Sequence, residues 1–213
     1  MVRDPRAVSA LVATVYVLDD DDGMRRALDT LLNAVGYKTA AFSRPSEFLR
    51  QITPDDPGCV LLDIRMPEMS GLEVQQQLTR AGVILPVIFM TAHADVPMAV
   101  QAVKSGAFHF IEKPFADGVL LGFIDRALEQ DRDLRQVLAE RDDVLRRLST
   151  LSPRERQVMD MLIEGAANKV IAIDLHLSER TVEIQRARMM KKMGARSVAH
   201  LVKMWVTARR SAG

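Results

Sequence analysis

The sequence predicts an α/β domain built on a doubly wound, five-stranded parallel sheet, joined through a long linker helix to an all-α domain of four short helices. Three features point to it. Short apolar runs alternate with amphipathic stretches from Thr14 to about Leu128, residues 117–150 carry one unbroken helical pattern, and helix start and stop signals recur four times after Ser149. The expected boundaries are 14–128 for the first domain, 129–148 for a helical linker continuing its last helix, and 149–210 for the second domain.

The strands of the first domain are expected at TVYVL (14–18), KTAAF (38–42, the weakest), CVLLDI (59–64), PVIFM (86–90) and FHFIE (108–112). Such short, continuous apolar runs suit parallel strands covered by helices on both faces. Between them, Met24, Leu28, Leu31 and Leu32, then Leu72, Val74 and Leu78, then Val96, Val100 and Val103 recur at helical spacing. Five βα units of this size make a doubly wound domain.

In the helix at 117–150, Ile124, Leu128, Leu134, Leu138, Leu145 and Leu148 fall near a heptad seam that Asp131 and Arg141 interrupt. Both a solvated spacer and a short dimeric coiled coil fit that pattern. Beyond it, Ser152-Pro153-Arg154-Glu155 combines an N-cap, a proline at the first helical position and a glutamate three residues after the cap. Asn168, Ser178 and Ser197 are the expected caps of the next three helices, with Gly165 and Gly194 as stops. Val182 and Met189 are expected in the core, and Trp205 partly buried.

Hydrophobic residues make up 48% of the chain and charged residues 27%, as in ordinary globular domains. The net charge of +1 conceals a division: residues 1–128 carry 12 Lys+Arg against 16 Asp+Glu, residues 129–148 carry 5 against 6, and residues 149–213 carry 12 against 6. A basic back half behind an acidic front half points to a polyanionic partner for the second domain. Cys59, the only cysteine, lies in an apolar run and excludes an intramolecular disulfide. No apolar stretch is long enough to span a bilayer, and the N-terminus lacks a signal-peptide h-region. A cytoplasmic protein without a membrane partner is expected.

Four aspartates, Asp19 to Asp22, follow the first strand; Asp63 closes the third, Thr91 follows the fourth and Lys113 the fifth. All would lie at the C-terminal sheet edge, where ligands bind in open α/β folds. Clustered carboxylates suit a hard cation such as Mg²⁺. A carboxylate beside it can attack a phosphoryl group, with cation, lysine and hydroxyl sharing the charge. Asp21, Asp22 and Asp29 read as solvated. His176 and His200 have no carboxylate or cysteine partner at metal-ligand spacing, and His93 and His109 read as a loop residue and a neighbour of Phe110 rather than as catalytic bases.

VLDDDDGMR, LLDIRMPEMSGLE, MTA and IEKPF, in that order, resemble the receiver domain of two-component response regulators, a flavodoxin-like fold, over residues 14–128. The resemblance implies Asp63 as phosphoacceptor and Asp19, Asp20, Asp63 and the Arg65 carbonyl as ligands of Mg²⁺ (or Mn²⁺). It implies Thr91 and Lys113 as phosphate partners, Phe110 at an aromatic switch position where many relatives have tyrosine, and Lys113-Pro114 as a cis peptide. The segment AHADVPMAVQAVKSGAFHFIEKPF places the receiver near the FixJ branch.

The string LSPRERQVMDMLIEGAANKVIAIDLHLSERTVEIQRARMMKKMGARS resembles the LuxR-type helix-turn-helix module of the FixJ/NarL class over residues 149–208. It implies that the helix from Ser178 to Met193 enters the major groove, with Glu183, Ile184 and Ala187 facing bases and Arg188 beside them. Asn168, Lys169, Thr181, Lys191 and Lys192 would touch phosphates. Gln185 stands where the class commonly has histidine, and helix 197–208 would form a dimer contact.

The expected function is that of a non-enzymatic transcription regulator. A sensor histidine kinase phosphorylates Asp63, and homodimers then bind double-stranded promoter DNA. Two rivals differ in class. A Mg²⁺-dependent aspartyl-phosphate phosphohydrolase needs a second acid at an Asp-x-Asp spacing, where this chain has Arg65. A receiver-like transcription factor controlled without phosphate would show a broken acidic site.

Overall fold

A computed structural model describes residues 13–92 and 106–209. The expected helix with Val96, Val100 and Val103, and His93, lie outside the described residues. The first unit contains β1 (Thr14–Leu18), α1 (Asp22–Ala34), β2 (Lys38–Phe42), α2 (Pro45–Gln51), β3 (Gly58–Asp63), α3 (Gly71–Arg80), β4 (Val87–Thr91) and β5 (His109–Glu112). α4 (Asp117–Ser149) follows, then α5 (Pro153–Ile163), α6 (Asn168–Asp174), α7 (Glu179–Met193) and α8 (Val198–Arg209). The chain divides into two compact units between Leu134 and Arg135, inside α4.

The five strands are all parallel, in the order β2-β1-β3-β4-β5. Alternate side chains feed two cores. Tyr16, Leu18, Val60, Leu62 and Phe89 meet Phe48 of α2 and Val74 and Leu78 of α3 on one face. Val15, Val17, Leu61, Ile88 and Met90 meet Leu28 and Leu32 of α1 and Leu120 and Ile124 of α4 on the other. Thus β1 leads into a helix on one face and its neighbour β3 into a helix on the opposite face. Their C-terminal ends flank the topological switch point, where a doubly wound sheet opens a crevice. Cys59 is buried in the second core and makes no disulfide.

α2 has no counterpart among the expected helices. It is only seven residues long, begins with Pro45 at N1 and has no side-chain cap, so its pattern is weak; burial of Phe48 holds it. Asp131, which breaks the expected seam of α4, is 2% exposed and accepts a hydrogen bond from Gly58 N–H at 3.0 Å. A Cβ at Gly58 would run into the Thr14 carbonyl, so the bare backbone fits this close approach.

In the second unit, Val158, Met159 and Leu162 of α5, Ile171 of α6, Val182, Met189 and Met193 of α7 and Leu201 of α8 share one core with Val144 and Leu148 of α4. Ser152 and Glu155 complete a capping box at α5, and Ser178 caps α7. At the far end of α7, Gly194 is left-handed and lies against Arg147, whose Nη1 donates to the Met193 carbonyl at 2.8 Å. One expected cap is corrected: Ala167, without a capping side chain, stands at the N-cap of α6, and Asn168 is its first residue. The Asn168 amide oxygen instead accepts from Arg186 Nη1 of α7 at 3.0 Å.

Candidate functional site

Each strand ends where the apolar run gives way to a polar residue, so the sheet presents a row of polar groups at its C-terminal edge. Asp19 follows β1 and is 1% exposed; Asp63 ends β3, Thr91 ends β4, and all three are buried. Lys113 follows β5, held at the end of β4 by its backbone N–H, which donates to Thr91 O at 2.7 Å. Its ammonium bridges Asp19 Oδ2 at 2.6 Å and Asp63 Oδ1 at 2.7 Å. The other Asp63 oxygen accepts from Arg65 N–H at 2.8 Å. Asp19, Asp63, Thr91 and Lys113 are therefore together, as expected from their places at the strand ends. The Lys113-Pro114 bond is cis.

The four aspartates separate into distinct roles. Asp19 Oδ1 accepts from Asp21 N–H, and Arg25 Nη1 donates to the Asp19 carbonyl at 2.6 Å. Asp20 is exposed, and its carboxylate has no hydrogen-bond or ion-pair partner among the described residues. Asp21 is not merely solvated: its Oδ1 caps α1 by accepting from Gly23 and Met24 N–H, which lowers its pKa. Asp22 pairs with Arg25, and Asp29 accepts from the Thr39 hydroxyl.

Burial pushes the Asp63 carboxyl above its ordinary range and Asp19 adds to the rise, while hydrogen bonding and charge from Lys113 oppose it. Burial also weakens the Lys113 ammonium, but its two carboxylate partners more than compensate, and its pKa lies above the ordinary value. The segment after Asp63 is tightly placed. Ser70 and Glu73 cap α3 reciprocally, Gly71 N–H donates to Ile64 O at 2.9 Å, and a Cβ at Gly71 would strike the Asp63 carbonyl. Glu68, at positive φ, accepts from Arg44 Nε at 2.7 Å and Ser46 Oγ at 3.1 Å. Gly71, Arg44 and Glu68 carry no signal of these roles that sequence inspection singled out; the S-x-x-E spacing of Ser70 and Glu73 was the available one.

No three acidic, histidine or cysteine side chains among the described residues converge as a ready metal cage. Lys113 sits between two carboxylates, with the unpartnered Asp20 next to Asp19. The donors are all hard oxygens on strand ends, a set whose chemistry fits a divalent cation of the Mg²⁺ type.

Phe110 is half-buried and packs on the core beneath α2 and α3. Its neighbour His109 turns to the other face and packs against Phe123 with the rings tilted by 48° and their centroids 3.6 Å apart; burial and nearby Arg126 lower its pKa.

The second unit offers a different kind of surface. Along α7, Val182, Met189 and Met193 point into the core, while Glu183, Ile184, Ala187, Arg188 and Lys191 are exposed at spacings that place them on one face. Thr181 and Gln185 are half-buried at its margin, and Lys169 is exposed on α6. Lys192 has an internal engagement that its sequence position did not suggest. Its ammonium donates to Glu155 Oε2 at 2.6 Å and to Thr150 O at 3.1 Å. That bond, then the Ser152 N–H, holds the Glu155 carboxyl below its ordinary pKa. Trp205 is half-buried, with the Arg209 guanidinium 4.0 Å from its ring centre.

Among the described residues, no helix is long and apolar enough to cross a membrane. Residues 15–125 match the response regulator receiver domain, and residues 149–205 match the luxR family of bacterial regulatory proteins. The chain is 43% identical to nodulation protein W of Bradyrhizobium diazoefficiens, covering 90% of this chain and 85% of that protein. It is also 43% identical to the transcriptional regulatory protein FixJ of Azorhizobium caulinodans, covering 91% and 92%. Among solved structures, the response regulator StyR is similar with a TM-score of 0.85 and 41% identity, over 91% of this chain and 98% of that one.

Proposed function

The chain belongs to the response regulators that join a receiver domain to a luxR-type DNA-binding domain, and from that premise we propose that phosphorylation of Asp63 controls its binding to promoter DNA. The carrying observation is the Lys113 ammonium set between Asp19 and Asp63 at the switch point of the sheet. The domains in this proposal are a receiver at 14–128, a helical linker at 129–148 and a DNA-binding domain at 149–210.

A carboxylate oxygen of Asp63 attacks the phosphorus of a phosphohistidine on a sensor kinase. The O–P bond forms, the P–N bond breaks, and the imidazole leaves with a proton. Asp19, Asp20, Asp63 and the Arg65 carbonyl would hold Mg²⁺ (or Mn²⁺), which when bound supplies positive charge for the transferred oxygens. Lys113 pairs with the new phosphoryl group, and the Thr91 hydroxyl donates to one of its oxygens. Phe110 follows Thr91 by packing alone, because its ring carries no hydroxyl. The altered receiver face favours homodimers.

Two copies of α7 then enter successive major grooves of a roughly two-fold-symmetric site in cytoplasmic DNA. Glu183, Ile184, Ala187 and Arg188 face bases, with Gln185 at the margin. Asn168, Lys169, Thr181, Lys191 and Lys192 lie toward the phosphates, Asn168 and Lys192 while keeping their internal hydrogen bonds. Arg65, two residues after Asp63 where an Asp-x-Asp phosphohydrolase carries its second acid, supports regulation over substrate turnover.

The test treats wild type and Asp63→Asn with acetyl phosphate and Mg²⁺, then measures phosphoryl incorporation, mass and affinity for DNA flanking its own gene. Incorporation with a higher dimer fraction and roughly tenfold tighter binding, in wild type only, is expected. Equal and unchanged binding by both proteins would remove phosphate control while leaving DNA binding.

A further inference from the structure

The DNA-facing side of α7 carries an acid that electrostatics alone would not put there. Glu183 is exposed and shares that face with Ile184, Ala187, Arg188 and Lys191. It forms no hydrogen bond or ion pair among the described residues. Arg186, one turn onward, donates to Asn168 instead. Glu183 is also the fifth residue of its helix, beyond the first turn where a carboxylate gains from the helix dipole. An unpaired anion brought against DNA meets phosphate repulsion unless it finds a hydrogen-bond donor. In the major groove, the base-edge donors are the amino groups of cytosine and adenine, and carboxylates characteristically accept from cytosine N4.

We propose that Glu183 is a specificity-determining residue that accepts a hydrogen bond from the N4 amino group of one cytosine in each half-site. The inference rests on α7 being the DNA-reading helix. The alkyl side chain of Ile184, 44% exposed beside it, gives the same face an apolar contact suited to a thymine methyl.

The experiment uses the full chain, treated with acetyl phosphate and Mg²⁺, to select from duplexes with a random central segment. Wild type, Glu183→Ala and Glu183→Gln are compared, with circular dichroism confirming that each folds. Wild type should enrich a two-fold motif holding a cytosine in each half. Glu183→Ala should lose roughly tenfold of the preference for that cytosine while keeping the rest of the motif. Glu183→Gln, whose amide both donates and accepts, should move the preference at that position toward adenine. Retention of every cytosine preference by both variants overturns the inference and leaves DNA binding by α7 intact. Enrichment of no sequence by wild type overturns sequence-specific binding, and the inference with it.

Discussion

Asp63 holds a buried carboxylate at a cost in stability. Its pKa is raised chiefly by burial, so the neutral form is the one that favours folding. That contribution is present below the ordinary value of 3.8 and is lost as pH rises through the raised folded value. Asparagine keeps an acceptor for Lys113 and Arg65 N–H without the charge. Urea midpoints followed from about pH 4 to about pH 7 should therefore show wild type falling progressively below Asp63→Asn. An unchanged gap would mean that burial does not set the Asp63 pKa. Lys113 has the complementary sign. Its raised pKa contributes stability below the ordinary 10.5, lost only as pH rises through the still higher folded value, so it adds no slope in that window.

Two helices carry charged side chains whose work is structural. Asp131 of α4 is buried on Gly58 N–H, so Asp131→Ala should destabilise the receiver by about 1–3 kcal/mol, read as a lower urea midpoint with an unchanged slope. Burial also clarifies the seam of α4. Ile124 belongs to the first core and Leu148 to the second, leaving Leu134, Leu138, Arg141 and Leu145 between them. A parallel pairing would set Arg141 against its own copy, and this span falls short of the three to four heptads that mark a coiled coil. In the second unit, Lys192→Met removes the partner of buried Glu155 and should destabilise that unit by about 1–3 kcal/mol. The depressed Glu155 pKa contributes stability above the ordinary 4.5 that is lost as pH falls through the folded value. The Lys192→Met deficit should accordingly shrink in thermal melts taken in acid.

At the scale of the molecule, the +1 charge is the difference between an acidic front and a basic back. DNA affinity should therefore fall steeply with salt. Replacing exposed Lys191 with alanine should reduce the slope of log K against log salt by about 1 for each phosphate that its ammonium neutralises; an unchanged slope would place Lys191 away from the backbone. The strands, the capping box of α5, the Ser178 cap of α7 and the order of polar residues at strand ends were legible in the residues alone, whereas α2 and the caps of α1 and α6 were not, and the outward face of α7 came from the family resemblance. The legible features follow from local rules: apolar runs, capping chemistry and helical spacing act over a few neighbouring residues. Folding in three dimensions was needed to show that Lys113 bridges Asp19 and Asp63, that Gly71 must be bare beside the Asp63 carbonyl, that Asp131 serves the sheet and that Lys192 serves Glu155. The long-range pairs join residues 37 to 94 positions apart, and the close approach at Gly71 depends on how α3 packs against the end of β3. Such partners are chosen by the closing of the sheet and the packing of helices, which no local pattern records.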